Sequence, residues 1–500
     1  DGTMTFTELT ANAGVISATN GDGLQFNNAD GAYTFNDAVL LVNDPGEDAG
    51  IDVTNGSSGT FSFTDTANII SNTTGDALVI QGSDATFTYE GSITTDAASG
   101  RPINISNNTG GSITIASTVT STGEGILVED NSGGTILFDD QVTLTTTTND
   151  AVNILDNTGG SVQFNNIDIT TTSGRGFVAT STTAGSTVTV TGNDNNIETT
   201  TGTALQLDTI AAGGSGINFE SVSSDGAANA IIIEDVTGGQ VSVGAGVAAG
   251  AGGTINASSG AAIQITNAAN VSLNQMVVSN TAAGFNNITV MHNNATTSTV
   301  SITNFDISGG LDGIAYSRSA TATSRITLNN NTIDTIAQDG ISMDIGGTGT
   351  ANVTITNNNV TNTTLNQEAL SFNTSGGLNK TVNLLVDGNT LVANTTGNTA
   401  NFTTNGAGTL NATVTDNVMS NGGAGRAFAM ESINPTSTIR LNLNNNTAVS
   451  GNANEYLLDE TGGDFRVLDL ADVDARNNGD IEFQPLQTDF TDDPGPIPTP

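Results

Sequence analysis

The sequence predicts an all-β fold, a right-handed parallel β-helix of about seventeen coils, each 23–32 residues long. Three observations predict it. A short apolar strand restarts once per coil through most of the 500 residues. Gly, Asn, Asp and Thr break the chain between restarts, while β-branched residues and Thr fill the strands. No stretch shows helical periodicity. A period of this size marks a solenoid, in which each repeat packs only on its neighbours and the core grows lengthwise.

The elements follow in order. The strand starts are Leu24, Ile51, Leu78, Ile103, Ile126, Val152, Phe177, Leu205, Ile231 and Ile263. The second half keeps the rhythm at Ile288, Ile314, Ile341, Leu370, Asn401, Phe428 and Leu457. Within one coil, Ile126-Leu127-Val128 is followed by a turn at Asn131-Ser132-Gly133-Gly134. A strand at Thr135-Ile136-Leu137-Phe138, a turn at Asp139-Asp140 and a strand at Gln141–Leu144 complete it. The next coil copies it from Val152 to Ile169, again with a Gly-Gly turn at Gly159-Gly160. The right-handed preference of parallel β connections sets the expected hand. The β-helix is expected over residues 1–475, with a cap at about 455–475; residues 476–500 read as an acidic, proline-rich tail. The longest step, Ile231 to Ile263, holds the small-residue loop Gly244–Gly250.

Composition narrows the function. Lys and Arg total 9 against 50 Asp and Glu, a net charge of −41. Binding to nucleic acid needs basic patches, so that class is excluded. Direct membrane insertion is excluded too, since no apolar run is long enough to span. With no cysteine, disulfides, thiolate metal sites and cysteine nucleophiles are all ruled out. The acidity suits divalent cations.

Three sets of polar residues recur once per coil. Asn331, Asn358, Asn389, Asn417 and Asn446 each precede a buried-type residue by two, which predicts a structural amide ladder at one turn. A second set, Asn28, Asn55, Asn107, Asp130, Asp156, Asp235 and Asn267, lies four residues after the strand start and reads as a turn cap. A third set lies two residues before it: Asp22, Asp76, Arg101, Glu124, Asp150, Arg175, Asp312, Asp339, Glu368, Arg426 and Glu455. Most of this column reads as a charge ladder relieved by Arg101 and Arg175. Asp312, Asp339 and Glu368 have no cation among them and form the candidate metal site, for calcium or another hard cation. His292 is the only histidine and supplies neither a zinc site nor a hydrolase triad on its own.

The Gly/Asn/Thr-rich coils, the Asn ladder and the lack of cysteine resemble right-handed parallel β-helix proteins of the pectin-lyase-like superfamily. Within it, the repeats are most similar to bacterial surface proteins: autotransporter passengers, filamentous adhesins and β-strand-repeat proteins. That resemblance implies an extracellular or cell-surface, non-catalytic rod, structural or adhesive, whose partners are surface glycans or proteins. End-to-end self-association into a filament is the alternative. A polysaccharide lyase or hydrolase is the second alternative. The enzyme motifs of that superfamily are missing, however: His292 lacks flanking glycines, Asp139-Asp140 stands alone, and no arginine or lysine sits in an acidic-cluster motif.

Overall fold

The parallel strand pairing that periodicity predicts is what the structure shows. The chain is an all-β parallel solenoid of about 17 turns. The computed structural model describes residues 2–7, 15–18, 23–42, 50–183, 185–244, 251–362, 367–377, 379–394 and 396–500. They form two compact units, Asp1–Ala245 and Gly246–Pro500. Asp22 and positions 245–250 of the small-residue loop lie outside the described residues.

In the first unit, one face stacks short strands in register. Leu24 pairs with Ile51, Ile51 with Leu78, and Leu78 with Ile103. Ile126, Val152, Phe177, Leu205 and Ile231 stack the same way. The period-2 pattern decides which side chains enter the coil. In Ile126–Glu129, Ile126 and Val128 are fully buried, while Leu127 and Glu129 are half-exposed. The remaining walls come from longer strands such as Ser112–Ser121, Thr135–Thr145 and Ser161–Thr171, which bury Ile136, Phe138, Val142 and Leu144 and their equivalents. Each aliphatic or aromatic side chain so buried stabilises by roughly 1.5–3 kcal/mol.

Like residues meet like along the stack. Phe6, Phe35 and Phe63 lie face to face at 4.7 and 4.4 Å, and Phe138 stacks on Phe164 at 4.3 Å. The second glycines of the Gly-Gly turns, Gly111, Gly134 and Gly160, adopt φ of 83°, 88° and 77°. A Cβ at Gly134 would stand 2.5 Å from the Gly110 carbonyl oxygen of the previous coil, so the turn needs glycine for both reasons.

The second unit repeats the plan. Ile263, Ile288, Ile314, Ile341 and Leu370 stack in register. Beyond Leu370 the structure corrects two expected starts. Ala400, not Asn401, pairs with Leu370, and Tyr456, not Leu457, pairs with Phe428. Starting at Asn401 would have turned Phe402 outward, and a one-residue slip moves every side chain to the wrong face. Phe402 and Leu458 are in fact buried.

The ladder continues through the C-terminal residues. Tyr456–Glu460 and Asp464–Leu468, inside the segment expected to be a cap, pair with Phe428–Ser432 and Ser437–Asn444. Within 476–500, Ile481–Gln484 pairs with Tyr456–Glu460, and Thr491–Asp493 pairs with Asp464–Leu468. Two ion pairs tie this last coil down: Arg440 to buried Asp493 at 2.7 Å, and Arg426 to Glu482 at 2.5 Å. The Arg426 contact holds the Glu482 carboxyl down at about 2. Among the described residues no helix is long and apolar enough to cross a membrane.

Candidate functional site

The three recurring polar sets occupy three different places on the coil. The turn-cap set sits in left-handed backbone: φ is 51° at Asn28, 56° at Asn55, 57° at Asn107, 53° at Asp130 and 47° at Asp156. Asp235 and Asn267 follow at 49° and 53°. Asn and Asp tolerate this region better than other side-chain-bearing residues, which explains their recurrence at one turn.

The amide ladder forms as the spacing predicts. Each of Asn331, Asn358, Asn389, Asn417 and Asn446 is at most 1% exposed. In each link, one Oδ1 accepts two hydrogen bonds from the Asn one coil earlier, one from its backbone N–H and one from its Nδ2. For Asn389 these come from Asn358 at 2.9 and 3.0 Å. Asn389 Nδ2 in turn donates to the Ile355 carbonyl at 2.9 Å and to Asn417 Oδ1 at 2.9 Å. The ladder extends to Asn477, whose Oδ1 accepts from Asn446. The first unit carries a second ladder, not anticipated from the sequence: Asn108, Asn131 and Asn157, linked in the same way. Its signal was present, because each of these residues directly follows a member of the turn-cap set.

The charged column also caps backbone. Asp76 Oδ1 accepts the Arg101 N–H at 2.8 Å, and Asp150 Oδ1 accepts the Arg175 N–H at 2.8 Å. The Arg175 guanidinium turns back onto Asp150 at 2.6 Å, and Arg101 lies 3.6 Å from Glu124. Such half-exposed pairs are worth little individually. The register correction revises the column's upper end. Asn398 Oδ1 accepts the Arg426 N–H at 3.3 Å, Asn454 takes the equivalent position one coil on, and Glu455 falls one residue outside it.

The same rule governs the candidate metal residues. Asn286 Oδ1 accepts the Asp312 N–H at 3.2 Å, Asp312 Oδ1 the Asp339 N–H at 3.1 Å, and Asp339 Oδ1 the Glu368 N–H at 3.1 Å. The structure thus brings the three carboxylates into one column and spends an oxygen of Asp312 and one of Asp339 on the backbone of the next coil. Burial, aided by the Asp339 charge, pushes Asp312 up to about 6. Burial first, then the hydrogen bond to Asp339 and its charge, push Glu368 up to about 7. Among the described residues, no group of three or more His, Asp or Glu side chains is arranged to hold a metal ion.

A fourth set is buried basic side chains. His292 and Arg318 are stacked in register at the fifth residue of their strands, an inward position, and are 1% and 2% exposed. The Arg318 guanidinium donates to Ser324 Oγ at 2.8 Å and to the carbonyls of Gly346, Ala322 and Thr348 at 2.6, 2.7 and 2.6 Å. Lys380, 3% exposed, donates to the Ile345 and Ser375 carbonyls at 3.0 and 2.6 Å. Burial lowers Lys380 to about 8 and lowers His292, whose Nε2 lies 2.6 Å from the Thr296 carbonyl. The alternation Ile288-x-Val290-x-His292 and Ile314-x-Tyr316-x-Arg318 already pointed these side chains inward. Here the Arg318 and Lys380 cations tie coil turns together from inside.

No protein-family model matches the chain, and neither does any curated protein or solved structure.

Proposed function

We propose that the chain is an extracellular structural or adhesive segment, non-catalytic, of the kind seen in bacterial surface proteins. One observation carries the reading: the side chains best suited to chemistry are engaged in holding the coils together. The amides bond to amides and carbonyls, Asp312 and Asp339 cap backbone N–H groups, and Arg318 and Lys380 cap turn carbonyls. A solenoid stabilised along its whole length by such ladders suits a spacer that presents its lateral faces to surface glycans or proteins. The large negative charge favours solubility and weak self-attraction of those faces. Antibody labelling of intact cells of the source organism tests the placement. Labelling without permeabilisation is expected; labelling only after lysis contradicts it.

A second reading is self-association through exposed apolar side chains: Met4 and Val15 are each 51% exposed. Sedimentation equilibrium at micromolar concentration separates the two readings: a single mass of 50.3 kDa supports the spacer, and a series of multiples supports assembly.

A further inference from the structure

We propose that the first unit carries an ice-binding face: the outward hydroxyl wall on its strands between Thr60 and Val190 adsorbs to the surface of an ice crystal. Register builds the wall. Thr60, Thr86, Ser112, Thr135, Ser161 and Thr187 stack in one outward column. Two residues further along each strand, Ser62, Thr88, Thr114 and Thr189 share a second column, which Leu137 and Gln163 interrupt. The residues between the two columns point inward and are buried, among them Phe61, Phe87 and Val188, so packed core backs the wall. Strand geometry sets the repeat, about 4.8 Å from coil to coil and about 6.7 Å between the columns. Threonine branches at Cβ, which restricts its rotation about χ1 and keeps the array regular.

Two observations set this wall apart. None of its positions carries a charge, in a chain of net charge −41. The other outward surfaces of the same unit do: Asp52, Glu129, Asp208 and Glu234 on one, Asp168 and Glu198 on another. Outward positions of the second unit's long strands include Arg325 and Asp387. The wall's hydroxyls are also unspent, unlike the amides of the Asn ladders. Thr135 Oγ1 donates to Ser112 Oγ at 3.1 Å, and the other eight have no protein partner among the described residues. These features select the occupant. A polyanion is repelled by the field of the whole chain, and a cationic partner is drawn to the charged surfaces instead. Hydroxyls fixed in two directions match a neutral solid that is periodic in two directions. Ice is such a solid, and the oxygen repeats on its prism face lie close to both spacings. The threonine methyl groups restrict the orientation of first-shell water without competing for its hydrogen bonds. A crystalline neutral polysaccharide is periodic as well, but sugar rings are held by stacking on aromatic faces. This wall exposes no aromatic ring, and the chain has no Trp.

Ice adsorption goes beyond the spacer role proposed above, and it is measured on the purified full chain wherever that chain sits on a cell. Ice grown slowly from a dilute solution should take the chain up, while an unrelated acidic protein stays in the liquid. Thr88→Tyr raises a ring from the middle of the wall and should abolish uptake. Thr86→Asp adds a charge without bulk and should do the same. Thr327→Tyr, at an outward position of Ser324–Asn329 in the second unit, should leave uptake unchanged. Thermal melting establishes that each variant is folded. Exclusion of the wild-type chain from ice overturns the proposal, whatever the variants do. Undiminished uptake of folded Thr88→Tyr and Thr86→Asp overturns it too, because another surface would then hold the ice. So does retention of the wild-type chain on microcrystalline cellulose or chitin, lost in Thr88→Tyr, without uptake into ice; the wall would then be a polysaccharide face.

Discussion

Replacing Asn389 at the centre of the amide ladder separates an internal structural role from a surface one. Asn389 is 1% exposed, and five hydrogen bonds of its side chain and backbone N–H link its coil to both neighbours. Asn389→Ala removes the acceptor for the Asn358 backbone N–H and the donor to the Ile355 carbonyl. Leaving a buried donor or acceptor unsatisfied costs about 1–3 kcal/mol each, so the change should cost about 3–5 kcal/mol. Asn389→Asp keeps the acceptor toward Asn358 but sets an oxygen against the Ile355 carbonyl and Asn417 Oδ1. At pH 7 it should cost more than alanine, and acidification should recover part of the loss because a protonated carboxyl can donate. Asn383→Ala on the outer face, where the bond donated to Asn352 and the one accepted from Asn411 are lost, is the control, at roughly 1–2 kcal/mol. Solenoid repeats unfold by local nearest-neighbour terms, so the assay is urea unfolding followed by limited proteolysis around residues 358–417. Equal effects of Asn389→Ala and Asn383→Ala, or no pH dependence for Asn389→Asp, would refute the reasoning.

Other outcomes follow from the same structure. Arg318→Met leaves three carbonyls and one hydroxyl without their donor and should destabilise the second unit by at least about 3 kcal/mol, read by thermal melting; a change under about 1 kcal/mol would mean water replaces the guanidinium freely. Lys380 has a folded-state pKa lowered to about 8, so the folded chain binds fewer protons than the unfolded one above that pH. Its local stability should therefore rise between pH 8 and the ordinary lysine range, and nitrogen NMR of the ammonium should give a midpoint near 8 rather than 10.5. Phe63→Ala removes a ring stacked at 4.4 Å on Phe35 and should cost about 3–5 kcal/mol, measured by denaturant melts of the first unit.

Much of this architecture was legible because inward positions recur with the coil. Ile, Leu, Val and Phe at the first and third strand residues give both the period and the register from Leu24 to Leu370. The register slipped where that signal weakens: the inward residues of one strand are Ala400, Phe402 and Thr404, small or polar at both ends, so Asn401 passed for a start. At Tyr456 the neighbouring Leu457 is as apolar as the inward Leu458, and alternation is blurred. The coil at Ile481–Gln484 hid among acids and prolines, though it follows Tyr456 by 25 residues, an ordinary step. The Asn ladder was readable from spacing alone, because a stacked amide satisfies itself with a copy of itself. The charged column was readable as a column. Its use in capping was not, because the sequence does not show that each carboxylate reaches the backbone of the next coil. The buried Arg318 and Lys380 ran against the ordinary expectation that cations face water, and only turn carbonyls one coil away make their positions affordable.

The most direct test of the claim that these polar side chains serve the coil itself is amide exchange of the wild-type chain at neutral pH. The backbone N–H groups of Asn331, Asn358, Asn389 and Asn417 donate to side-chain oxygens in the next coil rather than to a strand carbonyl. They should exchange as slowly as the strand amides of Ile341 and Val360. Exchange near the unprotected rate at these four positions, with the adjoining strands still protected, would contradict the account.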